Sequence, residues 1–555
     1  MRPLQKRALI ACIGVVGLTG TIDKVNAAEP PLATDTFVLP GVPKVSGDQV
    51  LHEDGARVLV RDVQFHGNTV FSHSALRTIA LPYIDRTLGA LELEEILRSI
   101  TARYVERGYV NSGAHLEAGA LSGDGTLHVT VVEGRLSKVR LRGLDGLSEH
   151  YVTDRLVPDA SAPLNIENVR ERYQLLLSDP LFAGIATRLI PDVSQGKAIL
   201  DVDVTRARPY QLSLSANNYR APSIGENSLD ISGLVRNLTG HGDTFSANWQ
   251  GAPQGNTSGR LGINWMLPLN GWGTLLTVQS DKGASSVIEE PLTTLGIRST
   301  LTNFEVGLNQ TVLDTLRSRL NYGISKSLRT NRTWLLDEPF SFGVGIPDGV
   351  LTQFTWKAWQ DFTYRTDSSV FVARITRSQV QNNLTMPLIA SEADQLPPNQ
   401  YGYWVTQLNI AHRFADGGAQ FQARATLQNA STHLTSLDGL AIGGATTVRG
   451  YRENQLLRDQ GALVTVEVQI PMKNQRSAGE IQWSLTPFFD YGKGNNVGEA
   501  SATLSSTGVA LAAEWRKFTL NFALAHRLIH PSSVDALSGT LQDRSMHFLL
   551  TYQVF

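Results

Sequence analysis

From Tyr210 to the C-terminus, apolar and polar side chains alternate with a period of two, as in Phe421-Gln422-Ala423-Arg424-Ala425-Thr426-Leu427 and Phe518-Thr519-Leu520-Asn521-Phe522-Ala523-Leu524. Strict alternation predicts strands with one greasy face and one polar face. Upstream the pattern is mixed. Residues 58–65 read as a strand and His66-Gly67-Asn68-Thr69 as a turn. Ser72 can cap a short helix from His73, and a longer helix follows with Leu93, Ile96, Leu97, Ile100 and Tyr104 on one face. Gly108 ends it, and strands are expected over 110–116 and 126–132. The same order then recurs: a strand over 136–141, a short helix over 151–156, a helix after Asn165, and strands over 185–190 and 198–204. Two tandem copies of a unit of roughly 75 residues form an internal repeat. Neither copy gathers titratable residues, so each reads as a binding module with an exposed sheet edge.

Alternation alone fits two architectures with inverted faces. A soluble sandwich buries the greasy side, whereas an outer-membrane barrel turns it to lipid and leaves Gln422, Arg424, Thr426, Glu467 and Asn521 around a wet lumen. Connections favour the barrel. Those near 239–241, 313–315, 366–368 and 415–417 are short, and those near 282–300, 328–352, 381–401, 431–459 and 528–543 are long, as when one set faces the periplasm and the other the outside. About sixteen segments fit into residues 208–555, ample for the ~9–11 residues that each tilted strand needs.

The first residues agree. Arg2, Lys6 and Arg7, the apolar run 8–18 and Val25-Asn26-Ala27 predict a cleaved export signal over 1–27. Residues 28–56, with Pro30, Pro31, Pro40 and Pro43, read as a mobile periplasmic leader. The single cysteine, Cys12, falls inside the signal, which removes disulfides and cysteine metal sites from the mature chain. The net charge of −2 would become about −5 on loss of four cations and one anion from 1–27, and nothing in it resembles the basic stripe of a nucleic-acid binder.

The chemistry concentrates in the long connection 431–459, at Gly443-Gly444-Ala445-Thr446-Thr447-Val448-Arg449-Gly450-Tyr451. In the later segment 481–492, Phe488 and Asp490 fall on the polar phase and therefore face the lumen. A loop folded inward would let Arg449 pair with Asp490, with Gly443, Gly444 and Gly450 supplying the positive φ of a tight tip. In a partly hydrated lumen such a pair is expected to contribute on the order of 1 kcal/mol, a reversible latch. The plainer alternative is an exposed loop tip and an ordinary lumen carboxylate. No Gly-x-Ser-x-Gly elbow or His-Glu-x-x-His motif is present, and the twelve histidines lack ligand spacing, so no enzyme, catalytic residue, metal or cofactor is expected.

From residue 57 to 555 the chain resembles the outer-membrane transporters of two-partner secretion, the TpsB family of haemolysin and filamentous-haemagglutinin exporters, within the BamA-like superfamily. Phe65-His66-Gly67-Asn68-Thr69-Val70-Phe71, Tyr104-Val105-Glu106-Arg107-Gly108-Tyr109 and Val131-Val132-Glu133-Gly134 look like a polypeptide-transport-associated (POTRA) domain. Leu189-Ile190-Pro191 and Gly196 suit a second one. Val448-Arg449-Gly450-Tyr451 is similar to the family's inward-loop motif, and Phe488-Phe489-Asp490 to the strand motif that receives its arginine. The resemblance implies POTRA domains at 57–134 and 135–207 and a transmembrane antiparallel β-barrel of about 16 strands at 208–555. It also implies a translocation pore whose partners are a secreted exoprotein docked on the POTRA domains, outer-membrane lipids, and the barrel-assembly machinery during biogenesis, with no nucleic acid and a monomeric barrel. An assembly factor that inserts other barrels is the alternative, and a passive porin a third. Two features depart from the family: the proline-rich leader in place of a pore helix, and a final apolar phase, Met546 to Val554, out of step with Phe555.

Overall fold

The computed structural model describes residues 37–38 and 57–555, apart from 195, 254–257, 386–395, 415–417, 473–479 and 531–538. The export signal, Cys12, the short connection 415–417 and all of the leader but Phe37 and Val38 lie outside the described residues. The remainder forms two compact units, one ending at Arg208 and the other running from Pro209 to Phe555.

In the first unit, β1 is Phe37–Val38, β2 Val58–Val60 and β3 Asp62–His66. Then come α1 (His73–Ala80), β4 (Arg86–Leu88), α2 (Ala90–Glu106), β5 (Gly113–His115) and β6 (Thr126–Val132). The second repeat comprises β7 (Arg135–Arg142), α3 (Glu149–Leu156), α4 (Ile166–Leu177), β8 (Phe182–Pro191) and β9 (Lys197–Arg206). The two repeats share one topology. In each sheet one strand pairs in parallel with the last, β3 with β6 and β7 with β9, and β5 and β8 run antiparallel to the last, while the first repeat adds the separate pair β2–β4. The helices cap as their sequences predict, Ser72 accepting from the Ala75 N–H and Asn165 from the Glu167 N–H. Ile96, Ile100 and Tyr104 close over Val63, Val129 and Val131, and Val152, Tyr173 and Leu176 over Leu189, Leu200 and Val202.

Two expectations need correction. Residues 58–65 are two strands, since the Arg61 N–H turns aside to the Gly125 carbonyl (2.8 Å), leaving β2 on β4 and β3 on β6. A three-residue β4 is too short to show a period. The leader is also not wholly unpaired: β1 lies parallel on the edge strand β8, so this edge of the second sheet is covered. An open edge templates any extended segment within reach, and two residues with good β propensity suffice to pair.

The second unit is a closed antiparallel barrel with a sixteen-stranded wall, sealed where Tyr210–Asn217 pairs with Met546–Gln553. A two-residue strand, Glu338–Pro339, pairs only with the end of Ser318–Leu335 and adds nothing to the circumference. Faces decide between the two architectures. Phe304, Val306, Leu308, Tyr322, Ile324 and Trp356 point out and are exposed, while Ser325, Ser327, Asn331, Gln353 and Thr355 point in and are buried. That is the inverse of a sandwich. No helix among the described residues is long and apolar enough to cross a membrane. The phase slip at the C-terminus also resolves, because the last strand ends at Gln553 and Phe555, beyond it, turns its ring edge-on to Tyr210 at 5.3 Å.

Candidate functional site: the inward loop and its receptor strand

The connection 431–459 descends into the barrel. Its arms pair as a short ribbon, Leu440–Ile442 with Leu456–Arg458, which packs Leu440, Ile442, Val448 and Tyr451 against Leu504 of the wall. Past the ribbon the chain reverses at Gly443 and Gly444, both at φ +109°, and again at Gly450, φ +91°. At Gly450 a side chain is also excluded by space, since a Cβ there would lie 2.7 Å from that of Ala525.

Arg449, at the tip, meets Asp490 through three hydrogen bonds. Its backbone N–H (3.0 Å) and Nε (2.8 Å) donate to Oδ2, and Nη2 donates to Oδ1 (2.9 Å). The remaining edge of the guanidinium reaches Glu467 Oε2 at 3.0 Å through Nη1, and its face covers the Phe488 ring at 3.5 Å. Asp490 is 0% exposed and Arg449 8%. The expected half-wet latch is therefore a desolvated clamp. Breaking one side of a pair buried this way costs about 3–5 kcal/mol rather than about 1, because the carboxylate left behind has lost its water as well as its partner.

Of the residues singled out in the sequence, Val448, Arg449, Gly450, Tyr451, Phe488 and Asp490 come together, while Gly443 and Gly444 form the bend above them. Tyr451 is fully buried, its hydroxyl 2.8 Å from the Ser505 carbonyl. Glu467, placed on the lumen wall by alternation, turns out to be a second carboxylate for Arg449.

Other contacts had no sequence motif to reveal them. His547 Nε2 accepts from the Gly450 N–H at 3.0 Å. Arg452 bridges Glu289 (2.8 Å) and Asp543 (2.5 Å) from other connections. At the root of the loop, Asp438 is 6% exposed and takes hydrogen bonds from Arg329, from Tyr401 (2.6 Å) and from Tyr403 (3.0 Å), all on wall strands. Arg329 also donates to the Leu437 carbonyl at 3.0 Å. An inward-phase arginine at 329 and a carboxylate beside Gly439 were the available signals, but nothing along the chain says that they pair across 109 residues.

In the first repeat, the three motif segments converge on one carboxylate. Glu133 accepts from the Thr69 N–H (2.7 Å), the Val70 N–H (2.8 Å), the Thr69 hydroxyl and the Tyr104 hydroxyl (2.9 Å). Burial works to raise its pKa, but these four donors outweigh burial and hold the carboxyl below its ordinary range. Burial and the carboxylate together push the Tyr104 phenol up.

Comparisons with known proteins match two stretches of the chain. The model of the haemolysin secretion/activation protein ShlB/FhaC/HecB family matches residues 196–515, and that of the ShlB-type POTRA domain matches 58–134. The chain is 21% identical over 186 residues to the outer membrane transporter CdiB of Dickeya dadantii (strain 3937), a match covering 34% of this chain and about a third (32%) of the relative's length. It is 22% identical over 454 residues to the heme/hemopexin transporter protein HuxB of Haemophilus influenzae (strain 86-028NP), covering 74% of this chain and 71% of HuxB. The solved structure of CdiB from Escherichia coli superposes with a TM-score of 0.66 at 18% identity, covering 92% of this chain and 93% of that one, a likeness of fold.

Proposed function

The chain belongs to the haemolysin secretion/activation protein family ShlB/FhaC/HecB, and on that footing we propose that it is an outer-membrane pore exporting one large partner exoprotein, of adhesin or cytolysin class, from periplasm to cell surface. Residues 1–27 are the export signal, 57–134 and 135–207 the two periplasmic POTRA domains, and 208–555 a monomeric pore inserted by the barrel-assembly machinery. Unfolded cargo docks on the POTRA pair by adding a strand to a sheet edge, threads the barrel as the loop tip yields, and folds outside. Neither nucleotide nor other cofactor is required, and no bond is made or broken, so the protein is not an enzyme.

The observation that carries this reading is a loop buried in a closed lumen and held at its tip by one guanidinium between two carboxylates. A passive porin needs neither that clamp nor two docking repeats. Deleting the gene and comparing culture supernatant with outer membrane provides the test. Loss of a single large secreted protein is expected. Broad depletion of outer-membrane barrels would instead establish the insertion role, and an unchanged supernatant would refute export. Arg449→Asp sets a third anion beside Asp490 and Glu467 and should reduce secretion while barrel abundance stays near normal. Adding Asp490→Arg should restore part of it.

A further inference from the structure

The outer wall carries a charged patch that export does not use. The strands Ser318–Leu335, Val350–Arg365, Ser369–Asn382 and Gln400–Arg413 are neighbours, and on their outward face Tyr322, Ile324, Leu328, Phe354, Ile375 and Ile410 are all exposed. Among them stand two cations, Lys326 and Arg377, while a third, Arg332, lies six residues beyond Lys326 along the same strand toward the long connection. Lys326 pairs across to Trp356 with its Nζ 5.1 Å from the ring centroid, and Arg377 pairs across to Trp404 with its Cζ 5.4 Å from that ring. Gln379, paired with Trp356, accepts a hydrogen bond from Arg377 at 3.4 Å. No outward position on these four strands is Asp or Glu.

Depth makes the patch unusual. Lys326 and Arg377 each lie eight residues beyond the start of a strand that begins at a short connection. At about 3.3 Å per residue and a tilt of about 40°, that is a climb of roughly 20 Å across an apolar band of about 25 Å. Both cations therefore lie just inside the interface on the long-loop side, where Trp356 and Trp404 are amphipathic anchors. A cation against lipid is unfavourable unless its head reaches the interface and finds an anion, and an indole face attracts without neutralising. Two strand spacings and one step of two residues separate the Lys326 and Arg377 Cα atoms by about 12 Å, leaving room for one headgroup with its phosphates divided between them.

We propose that this patch binds the phosphate-bearing headgroup of an outer-leaflet lipid, Lys326 and Arg377 taking the phosphates and the two indoles flanking the headgroup. The inference rests on the barrel spanning a membrane and is independent of what the pore transports. The test is native mass spectrometry of the purified full chain titrated with bisphosphorylated lipid A, with its dephosphorylated counterpart, and with inorganic phosphate. Lys326→Gln/Arg377→Gln should weaken binding of the bisphosphorylated lipid about twenty-five-fold, at roughly fivefold per cation. Lys326→Arg/Arg377→Lys should stay near wild type, and the dephosphorylated lipid should not distinguish the variants. Heat-modifiable migration on gels shows that each barrel is folded. Equal binding of the bisphosphorylated lipid by wild type and the Gln pair would overturn the site, and its displacement by inorganic phosphate would overturn the lipid as ligand.

Discussion

Arg449→Ala separates a clamp from a bystander. It removes the side-chain bonds to Asp490, the contact with Glu467 and the cation over Phe488, leaving a fully buried carboxylate with only the backbone N–H of residue 449. Taking the low end of the range for breaking a buried pair, because water can enter once the tip shifts, the inserted loop loses about 3 kcal/mol, or about two powers of ten in its in/out equilibrium. The wall does not share this loss, since its ladder of strand pairs is untouched. The assay is reaction of a reporter cysteine at Val448, which is fully buried, with a membrane-impermeant maleimide in a chain whose one native cysteine, Cys12, is replaced by serine. Labelling should rise by about a hundredfold in the Arg449→Ala background. Asp490→Asn should fall between, because Nη1 keeps Glu467. A labelling rate in Arg449→Ala within twofold of the parent would refute the argument, because it would mean that the tip is held by its apolar contacts alone.

The other predictions concern separate parts of the chain. Asp438→Asn strands the buried Arg329 charge and should lower the temperature at which heat-modifiable migration is lost by more than Tyr403→Phe, which removes a neutral donor to Asp438 worth about 1 kcal/mol and leaves the ion pair intact. Gly450→Ala should raise Val448 reporter labelling as Arg449→Ala does, whereas Gly498→Ala, also at positive φ (+75°) but in open space, should leave it unchanged. The depressed Glu133 carboxyl gives a pH dependence with a definite sign. Its stabilisation is complete above the ordinary glutamate value of 4.5 and is lost as pH falls through the lower folded value. Hydrogen exchange at the Thr69 and Val70 amides, corrected for intrinsic rates, should be flat from pH 7 to about 5 and accelerate below, while Glu133→Gln should exchange fast throughout.

Alternation over 210–555 by itself determined that this part of the chain is made of two-faced strands, and the alternation of long and short connections chose which face meets lipid. Both are local properties, written every second residue and unchanged by what packs on them. The repeat was legible for the same reason, since helix periods and caps lie within a turn or two of each other. Phe488 and Asp490 could be assigned to the lumen by parity alone. Only the tertiary structure decided how strongly Arg449 is held, because burial and the second carboxylate, Glu467, depend on how deeply the loop sits. The same holds for Arg329 with Asp438, 109 residues apart, and for β1 on the edge of β8, where pairing depends on which backbone groups are left open. Periodicity records what each residue faces, whereas the energy of a buried charge is fixed by everything around it, and that is assembled only when the barrel closes.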